Sequence, residues 1–268
     1  MQNSPAGNGL ANWLVNPPGV LVAQWESVQM AQLVADVFGY HAVQLGMPVL
    51  PGLAENRMPS RWQVLGPTEF GLGAEALRCD FTALPFDESS IDLAVLPHTL
   101  EWCGEATACL REVERVLRPE GRLVVTGFNP NSLWALRQHT GRALRLLKRH
   151  GAAQTPLFLP DGGEFVGLKR LRDWLRVLNF EVETVRFGLH GGAGFGRLGA
   201  KLWPNWGAVY LLSAVKRVPG PLLMRNARRV PRFAADAVPA IRRTGADNSF
   251  KNNSIEVNKY SDTVAKTH

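Results

Sequence analysis

Short apolar segments alternate with helical patterns between residues 41 and 215, and this alternation constrains the fold more than any other feature. The apolar segments predict strands at 41–45, 62–65, 76–79, 91–96, 122–126, 181–187 and 207–215. Patterns with a period of 3.6 residues predict helices at 20–38, 105–117, 132–150 and 167–178. Strands separated by helices pair in parallel, so we expect a doubly wound, mostly parallel α/β sheet with helices on both faces. The last two strands are joined by no long helix, which allows them to pair antiparallel at an edge.

Three segments are expected along the chain. Residues 1–19 are rich in Gly, Pro and Asn and predict an irregular lead-in. Residues 20–218 hold the alternating pattern and form the predicted domain. Residues 219–268 are polar and lack periodicity, which predicts a flexible tail.

Charge is distributed unevenly over the 268 residues, whose net charge is +7. Residues 1–130 carry −7, residues 131–216 carry +8 and residues 217–268 carry +6, so the predicted tail holds most of the net charge. Aromatic residues are not interleaved with the basic ones and no RNA-binding motif is present, which argues against nucleic-acid binding.

The cysteine content indicates a reducing compartment. Three cysteines without a CxxC pair predict neither a disulfide framework nor a structural metal site. We therefore expect a cytoplasmic protein that holds no metal.

Ligands of open α/β sheets bind beyond the carboxyl ends of the strands, and two sequence segments at these ends are informative. They are DFTALPFDESSIDLAVLPHTLEW at 80–102 and LREVERVLRPEGRLVVTGFNP at 110–130. In order and spacing they resemble the Rossmann-like, class I S-adenosylmethionine-dependent methyltransferases of the type 11, quinone-biosynthesis-like subgroup. The resemblance loosely covers residues 20–216. It implies a seven-stranded sheet with one antiparallel strand, and S-adenosylmethionine as the cofactor.

The resemblance also implies roles for individual residues. Asp80 would accept a hydrogen bond from the adenine amino group, and Phe81 would supply a neighbouring backbone contact. Pro97 and His98 would line the methyl-transfer site, where His98 would act as a general base for an acceptor that keeps its proton. The cofactor's methionine part would meet the first-strand turn, which is formed by Gln44, Leu45 and Gly46.

Departures from the family pattern leave two functions open. The first motif is usually acidic-x-Gly-x-Gly-x-Gly, whereas this chain has Gln44 at the acidic position and keeps only Gly46 of the glycines. The acidic residue that normally ends the second strand is also missing after Leu65. The alternatives are methyl transfer to an unidentified acceptor and a non-catalytic, methyltransferase-like binding protein with weakened or lost cofactor binding.

The predicted helix 132–150 is basic and carries no acidic residue. Its apolar positions are Leu133, Leu136, Leu144 and Leu147. This pattern favours a core-packed helix with a solvated basic face, and its alternatives are contact with a membrane surface or a platform for an anionic substrate. Asn129, Trp134 and Arg137 are the candidate residues on the acceptor side.

Overall fold

The computed structural model describes residues 6–67, 76–138, 163–190 and 204–217. The helices are α1 Ala6–Leu14, α2 Gly19–Val34, α3 Thr99–Trp102, α4 Ala106–Val116 and α5 Leu168–Val177, and residues 133–138 are also helical. The strands are β1 His41–Leu45, β2 Ser60–Leu65, β3 Leu77–Arg78, β4 Ile91–Pro97, β5 Leu117–Phe128, β6 Phe180–Gly188 and β7 Val209–Lys216. These residues all belong to the first of two units into which the chain divides, Met1–Leu222. The predicted tail 219–268 and residues 139–150 of the predicted basic helix lie outside the described residues.

The seven strands form one sheet in the order β3-β2-β1-β4-β5-β7-β6. Neighbouring strands from β3 to β5 pair in parallel, whereas β7 pairs antiparallel with both β5 and β6. The prediction of a mostly parallel α/β sheet is therefore confirmed. The last two strands do pair antiparallel, and β6 forms the edge because β7 lies between it and β5.

Residues 6–14 form a helix within the range 1–19, for which the composition predicts an irregular lead-in. Helix α1 spans Ala6–Leu14, and its Leu10 and Leu14 side chains are buried in the same hydrophobic cluster as Met30 and Val34 of α2. Leucines four residues apart lie on one helix face. Burial of that face outweighs the low helix propensity of the Gly and Asn residues around it, which is why composition alone gave the wrong prediction.

The crossover from β1 to β2 contains no helix. Residues 46–59 are all described, and they form turns, bends and irregular backbone only. Met47, Leu50, Leu53 and Met58 of this crossover pack instead in the cluster that contains α1 and α2. The helix that a doubly wound sheet would place between β1 and β2 is therefore absent from this described crossover. Coverage of both faces of the whole sheet by helices stays a prediction.

Strand β5 begins earlier than predicted and contains a bulge. Leu117 pairs with Ile91 and Arg122 pairs with Leu93, so extra residues are accommodated at 118–121. Glu120 within this bulge has a left-handed backbone (φ 63°), at the position where the family usually has glycine. Among the described residues, no helix has the length and apolar character needed to cross a membrane.

Candidate functional site

The turn that follows β1 is organised by the side-chain amide of Gln44, of which only 2% is exposed. Its Nε2 donates to the carbonyl oxygens of Gly46, Met47 and Leu50 at 3.2, 3.1 and 2.8 Å. Its Oε1 accepts a hydrogen bond from the backbone N–H of Gly52 at 2.9 Å. The amide is therefore fully used in holding the turn against itself.

The backbone beside Gln44 is also engaged within the protein. The Leu45 carbonyl accepts a hydrogen bond from the Thr99 hydroxyl. Gly46 adopts a left-handed conformation (φ 72°) and donates its N–H to the Val64 carbonyl at 2.7 Å. Leu45 and Gly46 are both buried, so the predicted contact surface for the methionine part of the cofactor is covered by the chain's own residues.

Asp80 and Phe81 lie just beyond β3, where the sequence predicts the adenine contact. The Asp80 side chain is exposed, and its Oδ1 accepts hydrogen bonds from the backbone N–H and the hydroxyl of Thr82 at 2.9 and 2.8 Å. These hydrogen bonds lower the pKa of Asp80, so the carboxylate is ionised at neutral pH. Phe81 is buried beneath it in the core. The turn thus presents the Asp80 carboxylate to solvent as an ionised hydrogen-bond acceptor.

A buried charge network replaces an accessible base at the end of β4. His98 is completely buried, with Nδ1 at 2.7 Å from Glu101 Oε2 and Nε2 at 3.0 Å from Glu26 Oε1. The other Glu101 oxygen accepts the backbone N–H of Phe128 at 2.6 Å. Both ring nitrogens therefore face carboxylates, and neither faces solvent. The general-base role of His98 stays a prediction that would require this network to open.

Electrostatics keep His98 protonated. Burial alone lowers its pKa, but the charges and hydrogen bonds of Glu26 and Glu101 outweigh burial and raise the pKa to about 10. Burial raises the pKa of Glu101, and the His98 charge opposes this shift. An imidazolium between two carboxylates holds its proton at neutral pH. This arrangement is suited to stabilising the fold rather than to accepting a proton. Within the four described ranges, no group of three or more His, Cys, Asp or Glu side chains could hold a metal ion.

Aromatic rings fill the space beyond β4 and β5. The ring of Phe128 lies 4.4 Å from that of His98, 5.4 Å from that of Phe165 and 5.6 Å from that of Trp13. Trp102 contacts the same ring edge-on at 6.4 Å. Pro97, which was predicted to line the methyl-transfer site, is buried at the end of β4.

Two of the three predicted acceptor-side residues, Asn129 and Trp134, lie next to this aromatic group. They follow β5, whereas Asp80 follows the edge strand β3. The Asn129 amide donates to the carbonyls of Asn205 and Gly207 at 2.8 and 2.9 Å, so it ties the end of β5 to the approach of β7. Trp134 is half-buried and meets the Trp13 ring at 6.4 Å. Arg137 is exposed. Asn129 therefore has a structural task, and a role toward an acceptor stays a prediction for all three.

Sequence reasoning missed Glu26, Glu101 and Trp13. Glu26 lies on a helix before β1, and its contact with His98 joins positions 72 residues apart. The one available signal was an acidic residue within the apolar pattern of 20–38, which indicates a buried charge in need of a partner. Glu101 was visible in the quoted segment 80–102, but its spacing from His98 carried no assigned role.

Comparison with known proteins agrees with this architecture. Residues 54–125 match a family model described as a methyltransferase domain. The chain is 34% identical over 165 residues to the uncharacterized protein YafS of Escherichia coli (strain K12), a match that covers 59% of this chain and 62% of YafS. It is 30% identical over 97 residues to malonyl-[acyl-carrier protein] O-methyltransferase of Methylovorus sp. (strain MP688), which covers 36% of this chain and 32% of that protein. The chain thus spans less than two thirds of the length of either relative.

Solved structures share the fold. A SAM-dependent methyltransferase of Thermotoga maritima, described as a possible histamine N-methyltransferase, superposes with a TM-score of 0.55 at 17% identity, over 78% of this chain and 95% of that one. A chain of the Haloferax volcanii complex that contains the Trm112 methyltransferase activator gives a TM-score of 0.51 at 15% identity, over 80% and 98%. At such identities these similarities show the fold alone.

The family-model match and the strand order together confirm the resemblance to class I, Rossmann-like methyltransferases that the sequence predicts. S-adenosylmethionine is the cofactor that this family implies. The residues fit it at one end: Asp80 offers an accessible carboxylate where the adenine amino group is expected. They do not fit the methionine part of the cofactor. A turn that binds a phosphate or carboxylate group normally presents free N–H groups at the start of a helix, and residues 46–59 form no helix.

Proposed function

We propose that this chain transfers a methyl group from S-adenosylmethionine to an unidentified acceptor. The ionised, exposed Asp80 on its Thr82-stabilised turn is the observation that carries the proposal. When bound, S-adenosylmethionine supplies a methyl group that its sulfonium already activates, so the protein's task is chiefly to align and shield. The closed turn around Gln44 supports a cofactor held mainly from its adenine side.

Calorimetric titration of the full chain with S-adenosylmethionine, and with its demethylated product, tests this proposal. Replacing Asp80 removes a charge-assisted hydrogen bond, so Asp80→Ala should weaken binding by about 10-fold to 100-fold. Asp87→Ala is the matched control, because Asp87 is an exposed acid nearby that no role in binding is assigned to. Absence of binding to the folded wild-type chain at millimolar ligand would overturn the proposal.

The second candidate is a non-catalytic, methyltransferase-like binding protein. The turn after β1 favours it, because Gln44 bonds the turn to itself and the crossover provides no helix start. Mass spectrometry of the purified protein under native conditions distinguishes the two functions. Co-purified S-adenosylmethionine or its demethylated product counts against this second candidate, whereas a ligand-free chain that also fails in calorimetry supports it.

We also propose a cytoplasmic location. Its support is that Cys79, Cys103 and Cys109 are all free thiols, which is typical of proteins in reducing compartments.

A further inference from the structure

Two leucines that the sequence pattern assigns to the core lie on the surface. Leu133 and Leu136 are 53% and 59% exposed, whereas Ala135 and Gln138 of the same helical segment are buried. Residues three apart share a helix face, so the two leucines form one apolar strip. The prediction that these leucines pack into the core is therefore wrong, because the smaller Ala135 and the polar Gln138 take the inward positions.

A basic strip lies across a cleft from the start of this segment. Lys169, Arg172 and Arg176 of α5 are exposed, and their spacing places them on one side of the helix. With Asn131 they line a cleft of about 800 Å³. The two walls of the cleft meet at Gly167 and Pro130. A Cβ atom added to Gly167 would lie 3.5 Å from Pro130 Cγ.

Positive charge exceeds negative charge along the cleft. Asp173 is the acidic residue among the described lining residues, against the three cations of α5. Arg186 also borders the cleft, but its guanidinium donates to Gln29 and Gln32 at 2.8 Å, and these neutral partners leave its charge uncompensated. Such a cleft is complementary to a surface that carries phosphate groups.

We propose that this rim docks on an anionic phospholipid surface. Leu133 and Leu136 enter the boundary between headgroups and acyl chains, while Lys169, Arg172 and Arg176 face the headgroup phosphates. Exposed apolar side chains combined with cations bind a lipid interface, and Asn131, two residues before Leu133, lines the same cleft as the three cations. Trp206 is 49% exposed on the 3-10 turn Pro204–Trp206, whose Asn205 carbonyl accepts a hydrogen bond from Asn129. It adds an aromatic side chain suited to the same boundary. The proposal does not depend on methyl transfer.

Co-sedimentation of the full chain with lipid vesicles tests the docking. Phosphatidylcholine vesicles that contain phosphatidylglycerol should bind the protein, and pure phosphatidylcholine vesicles should not. Two double variants, Leu133→Ser with Leu136→Ser and Arg172→Gln with Arg176→Gln, should each weaken binding by about tenfold or more. All four residues are exposed, so the fold should tolerate these changes, which thermal unfolding verifies.

Matched controls distinguish docking at this rim from nonspecific binding to vesicles. Leu21→Ser with Val28→Ser removes an equally exposed apolar pair from α2, and Arg57→Gln with Arg111→Gln removes two exposed charges elsewhere. Both controls should bind vesicles like the wild type. Failure of the wild type to bind, or equal binding by every variant, overturns the proposal, since the second result places vesicle binding elsewhere on the chain. Calorimetric binding of inorganic phosphate that requires Arg172 and Arg176 but not the leucines would assign the cleft to a free phosphate group and also overturn it.

Discussion

His98 adopts a left-handed backbone (φ 54°) between β4 and α3, which turns its ring toward Glu26 on one side and Glu101 on the other. Removing one partner of such a buried network leaves an uncompensated charge, and this costs roughly 3–5 kcal/mol. The three residues come from α2, from the end of β4 and from α3, so their charges join the N-terminal helices to the centre of the sheet.

The charge of His98 makes stability depend on pH. The pKa rises from 6.5 in the unfolded chain to about 10 in the fold, so the folded state binds the proton more tightly. This contribution is fully present below pH 6.5 and is lost as the pH rises through about 10. We expect the free energy of unfolding to fall by roughly 3–5 kcal/mol over that interval, measured by urea titration at several pH values.

The variant Glu26→Gln provides the control for this pH dependence. With one carboxylate removed, the folded-state pKa of His98 is lower, so the fall in stability should be smaller and, while still beginning near pH 6.5, should end at a lower pH. The raised pKa of Glu101 acts in the same direction as that of His98, because both groups bind protons more tightly in the fold. A wild-type stability that stays constant or increases from pH 6.5 to 10 would contradict the network.

Gln44 stands where the family usually has an acid, yet its surroundings require a donor. Glu at this position would direct a carboxylate at the carbonyl oxygens that Nε2 now satisfies, so Gln44→Glu should lower the free energy of unfolding by roughly 2–3 kcal/mol. Gln63→Glu is the matched control: Gln63 donates one bond, to the Gly46 carbonyl at 2.9 Å, so its loss should cost about 1 kcal/mol. Unchanged stability of Gln44→Glu in chemical denaturation would show that the turn does not need the amide.

Single residues were predictable only where a local motif fixes them. Asp80 and Phe81 precede Leu-Pro-Phe and lie just beyond β3 in the structure, while their contact with adenine stays a prediction. Gln44 was recognisable as a departure from the motif, but the three carbonyls that it binds come from a turn whose path no local pattern encodes. The partnership of Glu26 with His98 depends on tertiary packing alone, so the sequence offered no means of pairing them.

At the scale of elements, α1 is part of the core rather than an appendage. Leu14 is 1% exposed and packs with α2, so truncating it leaves a cavity. Leu14→Ala should lower the free energy of unfolding by roughly 2–5 kcal/mol. Val15→Ala changes a neighbouring side chain that is 58% exposed, and it should alter stability by less than about 0.5 kcal/mol. Equal, small effects of both substitutions in a urea titration would contradict the packing of α1.

Elements were predictable where apolar residues carry a clear period. The strands β1 and β4 and the helices α2, α4 and α5 lie within a few residues of their predicted bounds, because each buries one strong apolar pattern. The crossover 46–59 and the orientation of residues 133–138 were not predictable in the same way. In both, the decisive factor is which neighbouring element offers space, and a single sequence does not encode this locally.

For the whole molecule, the order of strands sets the order of local opening. Strands β4 and β5 lie inside the sheet between neighbours on both sides, whereas β3 has two residues and lies at an edge. Amide hydrogen exchange, followed by mass spectrometry, should therefore be at least about tenfold slower in β4 and β5 than in β3. Strand β6, at the opposite edge, should exchange faster than β7. Equal protection of β3 and β5 would contradict this strand order.

The helix-free crossover between β1 and β2 also affects the order in which the chain becomes able to fold during synthesis. In an alternating βαβ unit, a strand leaves the ribosome before the helix that will cover it. Here α1 and α2 precede β1, and their Leu10, Leu14 and Met30 share a cluster with Ala42 of β1. Strand β1 therefore leaves the ribosome after α1 and α2, the helices that cover its apolar face, have been synthesised. This order shortens the time that its side chains spend exposed to other nascent chains.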